Sequence, residues 1–108
     1  MSRDVVGEFE QLVLLAVLRL GTDAYGLAIL AEIARQTHQA PSIGSLYVTL
    51  DRLEDKGLVR SRLARASDAR GGRARRYVTV TPRAIKQLSA ARQGLLNMWD
   101  GLEPLLDV

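Results

Sequence analysis

The spacing of hydrophobic residues changes along the chain from helical to alternating and back to helical. Phe9 to Leu20 is apolar almost all the way round and is followed by Gly21, so we expect a helix that is buried on more than one side. Asp23 is placed to cap a second helix, and the hydrophobic spacing carries that helix to about Thr37. Two helices joined by a short connection therefore open the predicted fold.

A third helix is predicted after Pro41, with Ser42 as its N-cap and Gly57 just past its end. Its apolar stripe has the i, i+3, i+7, i+10 spacing of one helix face and consists of Ile43, Leu46, Leu50 and Leu53. The opposite face is small, uncharged or basic near its start, as a helix that enters a DNA groove must be. That face presents Ser45, Val48, Arg52 and Lys56, with Tyr47 and Thr49 on its shoulders.

Alternation replaces helical spacing in residues 58–63 and 75–80, "LVRSRL" and "RRYVTV", which predicts two strands with an arginine-rich connection. A lone two-stranded hairpin is marginal in water, so this one should pack on the helices. Thr81 then caps a final helix that starts at Pro82 and should reach about Glu103. The predicted fold is mainly α (α+β): a winged helix-turn-helix with a two-stranded wing in residues 1–80, and an added C-terminal dimerisation helix in residues 81–108, forming one compact unit.

The final helix carries apolar residues on a near-heptad seam, interrupted by Arg92. The segment 82–103 would be about 33 Å long at helical rise, which is more than one small core can cover. We therefore expect the matching helix of a second chain to cover it, together with part of the first helix. The predicted dimer-interface residues are Phe9, Leu12, Ile85, Leu88, Leu95, Trp99, Leu102 and Leu106.

Composition removes several classes of function. A length of 108 residues fits one domain, and the absence of Cys excludes disulfides, thiolate catalysis and sulfur-ligated zinc. His38 is the only histidine and has no acid-base partner or metal cluster beside it, so we predict no catalytic residue, no metal and no cofactor. The longest apolar run, Leu12 to Leu18, is too short to cross a bilayer and the N-terminus is too polar for a signal peptide; a cytoplasmic protein without membrane contact is expected.

The charge is unevenly distributed along the chain. The net charge is only +3, but Arg60 to Lys86 holds nine basic residues against one acid, and the remainder of the chain is net acidic. Such polarity favours a polyanion as partner, although a solvated charged surface is the alternative. The segment "RASDARGGRARRYVTVTP" is predicted to be a hairpin, because predicted elements flank it on both sides, which argues against a disordered tail.

The segment "SIGSLYVTLDRLEDKGLV" resembles the signature of the PadR family of bacterial transcriptional regulators. The resemblance rests on Gly44-Ser45-Leu46-Tyr47, Leu50, Arg52-Leu53-Glu54 and Gly57-Leu58-Val59, and "LVLLAVL", "YGLAI" and "RRYVTVTP" extend it over nearly the whole chain. Val48 departs from the pattern, since many members have Pro there. The single C-terminal helix is similar to that of the short subgroup.

The resemblance implies a homodimer that binds a palindromic operator in double-stranded DNA, as a repressor. The third helix would enter the major groove, and the wing would lie near phosphates or the minor groove. It also implies a small hydrophobic effector between the protomers, on which Trp99 would stack; an interface anchor is the alternative for Trp99. A winged-helix module that binds a protein or RNA partner without regulating a promoter is the other class of function left open.

The candidate DNA contacts follow from the exposed face of the third helix, from the basic wing and from the family resemblance. They are Ser42, Ser45, Tyr47, Thr49, Arg52, Arg70, Arg73, Arg75 and Arg76. The wing arginines are expected to contact mainly phosphates, which sets affinity more than sequence preference. Tyr47 is either a phosphate contact or a core tyrosine with a surface hydroxyl. Arg52 either reads a base or pairs with a neighbouring acid.

Overall fold

The first three helices pack their apolar faces against one another and against one side of a hairpin. The computed structural model describes residues 6–65 and 74–106. In that part of the chain the helices are α1 (Glu8–Leu20), α2 (Gly26–Thr37), α3 (Ile43–Asp55), α4 (Pro82–Trp99) and α5 (Glu103–Leu106), and the strands are β1 (Val59–Arg65) and β2 (Ala74–Val80). The predicted winged helix-turn-helix with an added C-terminal helix is confirmed.

α1 and α2 begin differently. The Glu10 carboxylate accepts a hydrogen bond from the backbone N–H of Gly7 at 2.9 Å, which closes the start of α1. Asp23, predicted to cap α2, instead ends a 3₁₀ turn, and Tyr25 holds the N-cap position without a side-chain capping bond. The prediction for Asp23 was therefore wrong, because backbone pairing of the Ala24–Tyr25 step with β2 delays the helix start.

α3 follows the predicted pattern closely. The Ser42 hydroxyl accepts from the Ser45 backbone N–H at 3.0 Å, as expected of an N-cap. Leu46, Leu50 and Leu53 are completely buried and form the centre of the core. Gly57, with φ of 75°, turns the chain out of the helix in a conformation that favours glycine.

The hairpin is an antiparallel pair in continuous register from Val59 opposite Val80 to Arg65 opposite Ala74. Val59 and Val78 lie on the buried side, so the next residues on each strand, Arg60 and Tyr77, lie on the other side. The Val78 backbone N–H also donates to the Ala24 carbonyl at 2.9 Å, which ties the hairpin to the start of α2.

α4 extends beyond the core. Thr81 caps it by accepting from the Ala84 N–H at 3.3 Å, and Pro82 is its first residue, as predicted. Ala84 is the only fully buried residue of this helix. The helix ends at Trp99, earlier than the predicted Glu103, because the chain turns through Gly101 at φ of 82°. The radius of gyration, 15.8 Å, exceeds the roughly 13 Å of a compact domain of about 100 residues, in keeping with a projecting helix.

Candidate nucleic-acid interface

The N-terminal end of α3 is open to solvent. Ser42 and Ser45 are both exposed, and their hydroxyls are 2.9 Å apart and hydrogen-bonded. Val48, next along this face, is also exposed. Short side chains at the start of the helix allow another molecule to approach the backbone closely, and the N-terminal end of a helix favours negative charge.

Thr49 and Arg52, the other two candidate DNA contacts on α3 besides Tyr47, differ in their exposure to solvent. Thr49 is only 5% exposed, since it lies three residues after Leu46 and four before Leu53 and so belongs to the edge of the buried stripe. The expectation that Thr49 lies on an accessible shoulder was therefore wrong. Arg52 is exposed and, among the described residues, forms no salt bridge with its acidic neighbours, so it stays a candidate DNA contact.

Tyr47 joins α3 to the first residue of α2. A Cβ atom added at Gly26 would lie 2.7 Å from the Tyr47 hydroxyl oxygen and 3.2 Å from its Cζ atom, so the phenol rests directly on the glycine backbone. Tyr47 is nevertheless 41% exposed. The ring is therefore positioned by packing while part of it faces solvent, which combines the two roles considered for this residue.

Arg75 of the wing reaches the same end of α2. Its guanidinium carbon lies 4.1 Å from the centre of the Tyr25 ring, within the range of a cation–π interaction. Tyr25 in turn meets Tyr77 edge to face, with ring centres 5.8 Å apart, and Arg62 lies 4.7 Å from the centre of the Tyr77 ring. Tyr25, Arg62 and Tyr77 were not among the predicted site residues, because their contacts depend on the pairing register, which places Arg62 opposite Tyr77.

Arg76 points to the opposite side of the hairpin and is held by side chains of the protein itself. Its Nη1 donates to Asp51 at 3.0 Å, its Nη2 to Glu54 at 2.9 Å and its Nε to the Ser61 hydroxyl at 2.9 Å. The Ser61 hydroxyl hydrogen bond, with that of Arg76, lowers the pKa of Glu54. Arg70 and Arg73, the other two predicted wing contacts, lie outside the described residues.

The predicted dimer-interface residues fall into two groups. Phe9, Leu12 and Leu88 are partly buried against the core of their own chain. The others are 43% to 55% exposed: Ile85, Leu95, Trp99, Leu102 and Leu106. Leu15 and Leu18 of α1, each 45% exposed, and Leu96 of α4 add apolar surface that sequence analysis did not assign to the interface.

The part of the chain that the structure describes contains neither a metal-binding cluster nor a membrane-spanning helix. No group of three or more His, Asp or Glu side chains there could hold a metal ion. Nor does any helix in residues 6–65 and 74–106 combine the length and the apolar character needed to span a bilayer.

Comparisons with known proteins agree with this geometry. Residues 14–90 match the model of the transcriptional regulator PadR-like family. Among solved structures, a PadR family transcriptional regulator from Eggerthella lenta is 25% identical, with a TM-score of 0.69 over 94% of this chain and 88% of that one. A PadR-like transcriptional regulator from Bacillus cereus is 22% identical, with a TM-score of 0.72 over 93% of this chain and 92% of that one. A PadR family regulator from Clostridium difficile is 24% identical, with a TM-score of 0.67 over 94% and 96% of the two chains.

No curated protein matches the chain in sequence. The family match nevertheless spans well over half of the 108 residues and includes α3, both strands and the start of α4. The fold, the exposed start of α3 and the basic hairpin suit a DNA-binding protein. The chain therefore belongs to the PadR-like family, and it is a DNA-binding transcriptional regulator and not an enzyme.

Proposed function

We propose that the protein is a homodimeric repressor that grips the phosphates of an inverted-repeat operator with the start of α2, α3 and the wing. The observation that carries this proposal is the convergence of α3 and the wing on two consecutive residues. Tyr47 of α3 packs on Gly26, and Arg75 of β2 stacks on Tyr25. A phenol hydroxyl, a guanidinium and the first backbone N–H groups of α2 are therefore gathered at one place.

The chemistry of this place suits a phosphate. α2 has no side-chain capping bond at its N-terminus, so no side chain caps the N–H groups of its first turn, and an anion is a suitable acceptor for them. Arginine forms strong charge-assisted hydrogen bonds to phosphate, and a tyrosine hydroxyl is a common neutral contact. Ser42, Ser45 and Arg52 on the exposed face of α3 would then lie in the major groove beside that phosphate.

The homodimer rests on the apolar surface that one chain leaves uncovered. Trp99 and Leu102 of the C-terminal segment are about half exposed, and Met98 and Leu105 are three-quarters exposed. On α1, Leu15 and Leu18 border a groove of about 360 Å³ between α1 and α2. Exposed apolar residues of this number suit an interface, and twofold pairing would bury both regions while placing two DNA-binding units side by side.

A small hydrophobic effector is the remaining part of the proposal. Trp99 stands among exposed leucines, which suits stacking of a flat apolar molecule between two chains. Titration of aromatic compounds should quench the fluorescence of Trp99, the only tryptophan, and should release the DNA. Unchanged fluorescence over a broad panel would leave Trp99 as an interface anchor only.

A gel-shift titration at several salt concentrations tests DNA binding by the proposed residues. The probe is the duplex that the wild-type protein selects from a randomised library. Arg75→Gln should weaken binding to the selected and to a scrambled duplex about equally and flatten the salt dependence by about one unit of slope. Tyr47→Phe, which removes only the hydroxyl, should weaken both duplexes without that change in slope.

Arg60→Gln is the matched control. Arg60 is exposed on the same side of the hairpin as Arg75, but it lies four residues along β1 from Ala64, the residue that pairs with Arg75. The proposal fails if Arg60→Gln and Arg75→Gln have the same effect. Selection of an RNA, or retention of no duplex at all, would favour the alternative of an RNA or protein partner.

A further inference from the structure

Of the two predicted wing contacts that the structure describes, Arg75 and Arg76, it is Arg76 whose three guanidinium nitrogens each donate to a side chain of the protein. It contacts three side chains on two elements: Asp51 and Glu54 on α3, and Ser61 on β1. Ser61 also donates to the Glu54 carboxylate at 2.6 Å, so the four side chains form one closed network. This network spans the junction between α3 and the wing.

Arg76 and the acids that it contacts differ in how far they are buried. The Arg76 side chain is only 22% exposed, whereas that of Asp51 is 70% exposed and that of Glu54 is 47% exposed. The Arg76 side chain is therefore more buried than the two carboxylates that it contacts. Burial alone would lower the pKa of Arg76, but the hydrogen bonds to Glu54 and Asp51 outweigh this effect and raise its pKa.

The charges have a direct consequence for DNA binding. Asp51 and Glu54 lie on α3, whose exposed face is proposed to enter the major groove. Two uncompensated carboxylates there would repel the phosphates on either side of the groove. Arg76 offsets one of these two charges and, through its rigid fork of donors, also fixes the hairpin against the helix.

We propose that Arg76 is a positioning residue that sets the angle between the wing and α3 and offsets part of the charge of Asp51 and Glu54, and that it does not bind phosphate. This inference deepens the proposed DNA-binding function and rests on it. It predicts that Arg76 contributes mainly to discrimination between DNA sequences, because discrimination needs α3 and the wing to engage together. A phosphate contact would instead contribute equally to every sequence.

The test compares Arg76→Gln and Arg76→Lys with wild type on the selected duplex and on a scrambled duplex. Both variants should lose at least about tenfold in the ratio of the two affinities, because the single ammonium of lysine cannot reproduce the bonds made by Nε, Nη1 and Nη2. In an Asp51→Asn, Glu54→Gln background, Arg76→Gln should cost much less. If lysine restores binding and the loss is equal on both duplexes, Arg76 is a phosphate ligand and the inference is overturned.

A second measurement needs no DNA. It distinguishes failure of the positioning role of Arg76 from failure of the proposed DNA-binding function. Arg76→Gln should speed hydrogen exchange of the amides of Ser61 to Leu63 and Arg76 to Val78, whereas Arg60→Gln, which removes the same charge from the same hairpin, should not. Unchanged exchange in Arg76→Gln overturns the positioning role. Faster exchange, together with a wild-type protein that retains no duplex, would instead overturn the proposed function and leave the network as a structural junction only.

Discussion

Replacement of Gly26 by alanine should show how closely α3 is seated on α2. The new Cβ would lie 2.7 Å from the Tyr47 hydroxyl oxygen, 3.2 Å from Tyr47 Cζ and 3.3 Å from Ile43 Cδ1. Carbon atoms in packed interiors prefer separations of about 3.5 to 4.0 Å, so the Tyr47 ring must move. Since Tyr47 is 41% exposed, the ring has room to swing outward and take its hydroxyl away from the start of α2.

Two opposing effects set the magnitude. Overpacking of this kind costs about 1–3 kcal/mol. Alanine is less flexible than glycine in the unfolded chain, which stabilises the folded state by about 0.4–1 kcal/mol. Gly26→Ala should therefore lower the free energy of unfolding by about 1.3 kcal/mol, and by at most about 2.6 kcal/mol. It should also weaken DNA binding because Tyr47 is displaced.

Urea unfolding at a fixed protein concentration measures the first effect. Gly44→Ala is the matched control, because Gly44 also lies in the first turn of a helix and its nearest neighbour to a new Cβ, the Ser42 hydroxyl, is 4.0 Å away. That variant should be as stable as wild type or slightly more stable. In a Tyr47→Leu background the cost of Gly26→Ala should largely vanish. An equal cost in both backgrounds would refute the proposed seating of Tyr47 on Gly26.

Three further predictions concern the core, the charges and the apolar surface. Leu50→Ala should lower the free energy of unfolding by about 2–5 kcal/mol, since Leu50 is completely buried; a loss in urea melts below about 1 kcal/mol would contradict its central position. Hydrogen bonds from Arg35, Gln36 and Arg19 lower the pKa of Glu32 from 4.5 to about 2. The stabilising effect of the ionised Glu32 is therefore present above pH 4.5 and is lost as the pH falls towards 2. The stability difference between wild type and Glu32→Gln should therefore shrink over that range, and a constant difference would be the contrary result. Leu102→Glu should convert a dimer into single chains in sedimentation at micromolar concentration, whereas unchanged sedimentation would place the interface elsewhere.

Patterns of neighbouring residues predicted much of the fold. The stripe of Leu46, Leu50 and Leu53, the Ser42 cap and the Thr81–Pro82 helix start all depend on local chemistry, and all were found as predicted. The start of α2 was not, because pairing of the Tyr25 backbone with Tyr77 overrides the capping preference of Asp23.

Site residues could be predicted from the sequence only where their placement depends on the helix or strand that carries them. Ser42, Ser45 and Tyr47 followed from the helical spacing of α3 and from the family resemblance. The partners of Arg75 and Arg76 depend on which side of the hairpin each residue takes and on what packs there. Adjacent arginines of the same motif therefore have different environments, one over an aromatic ring and one bonded to two carboxylates, which composition alone does not distinguish.

Hydroxyl-radical footprinting of the selected duplex tests the central proposal, paired winged helices on duplex DNA, most directly. Two chains related by a twofold axis should protect two patches of backbone whose centres are about 34 Å, or one helical turn, apart, with equivalent protection on the two strands. Arg75→Gln should weaken both patches together. A single protected patch at saturating protein, or protection without twofold symmetry, would contradict dimeric recognition of an inverted repeat.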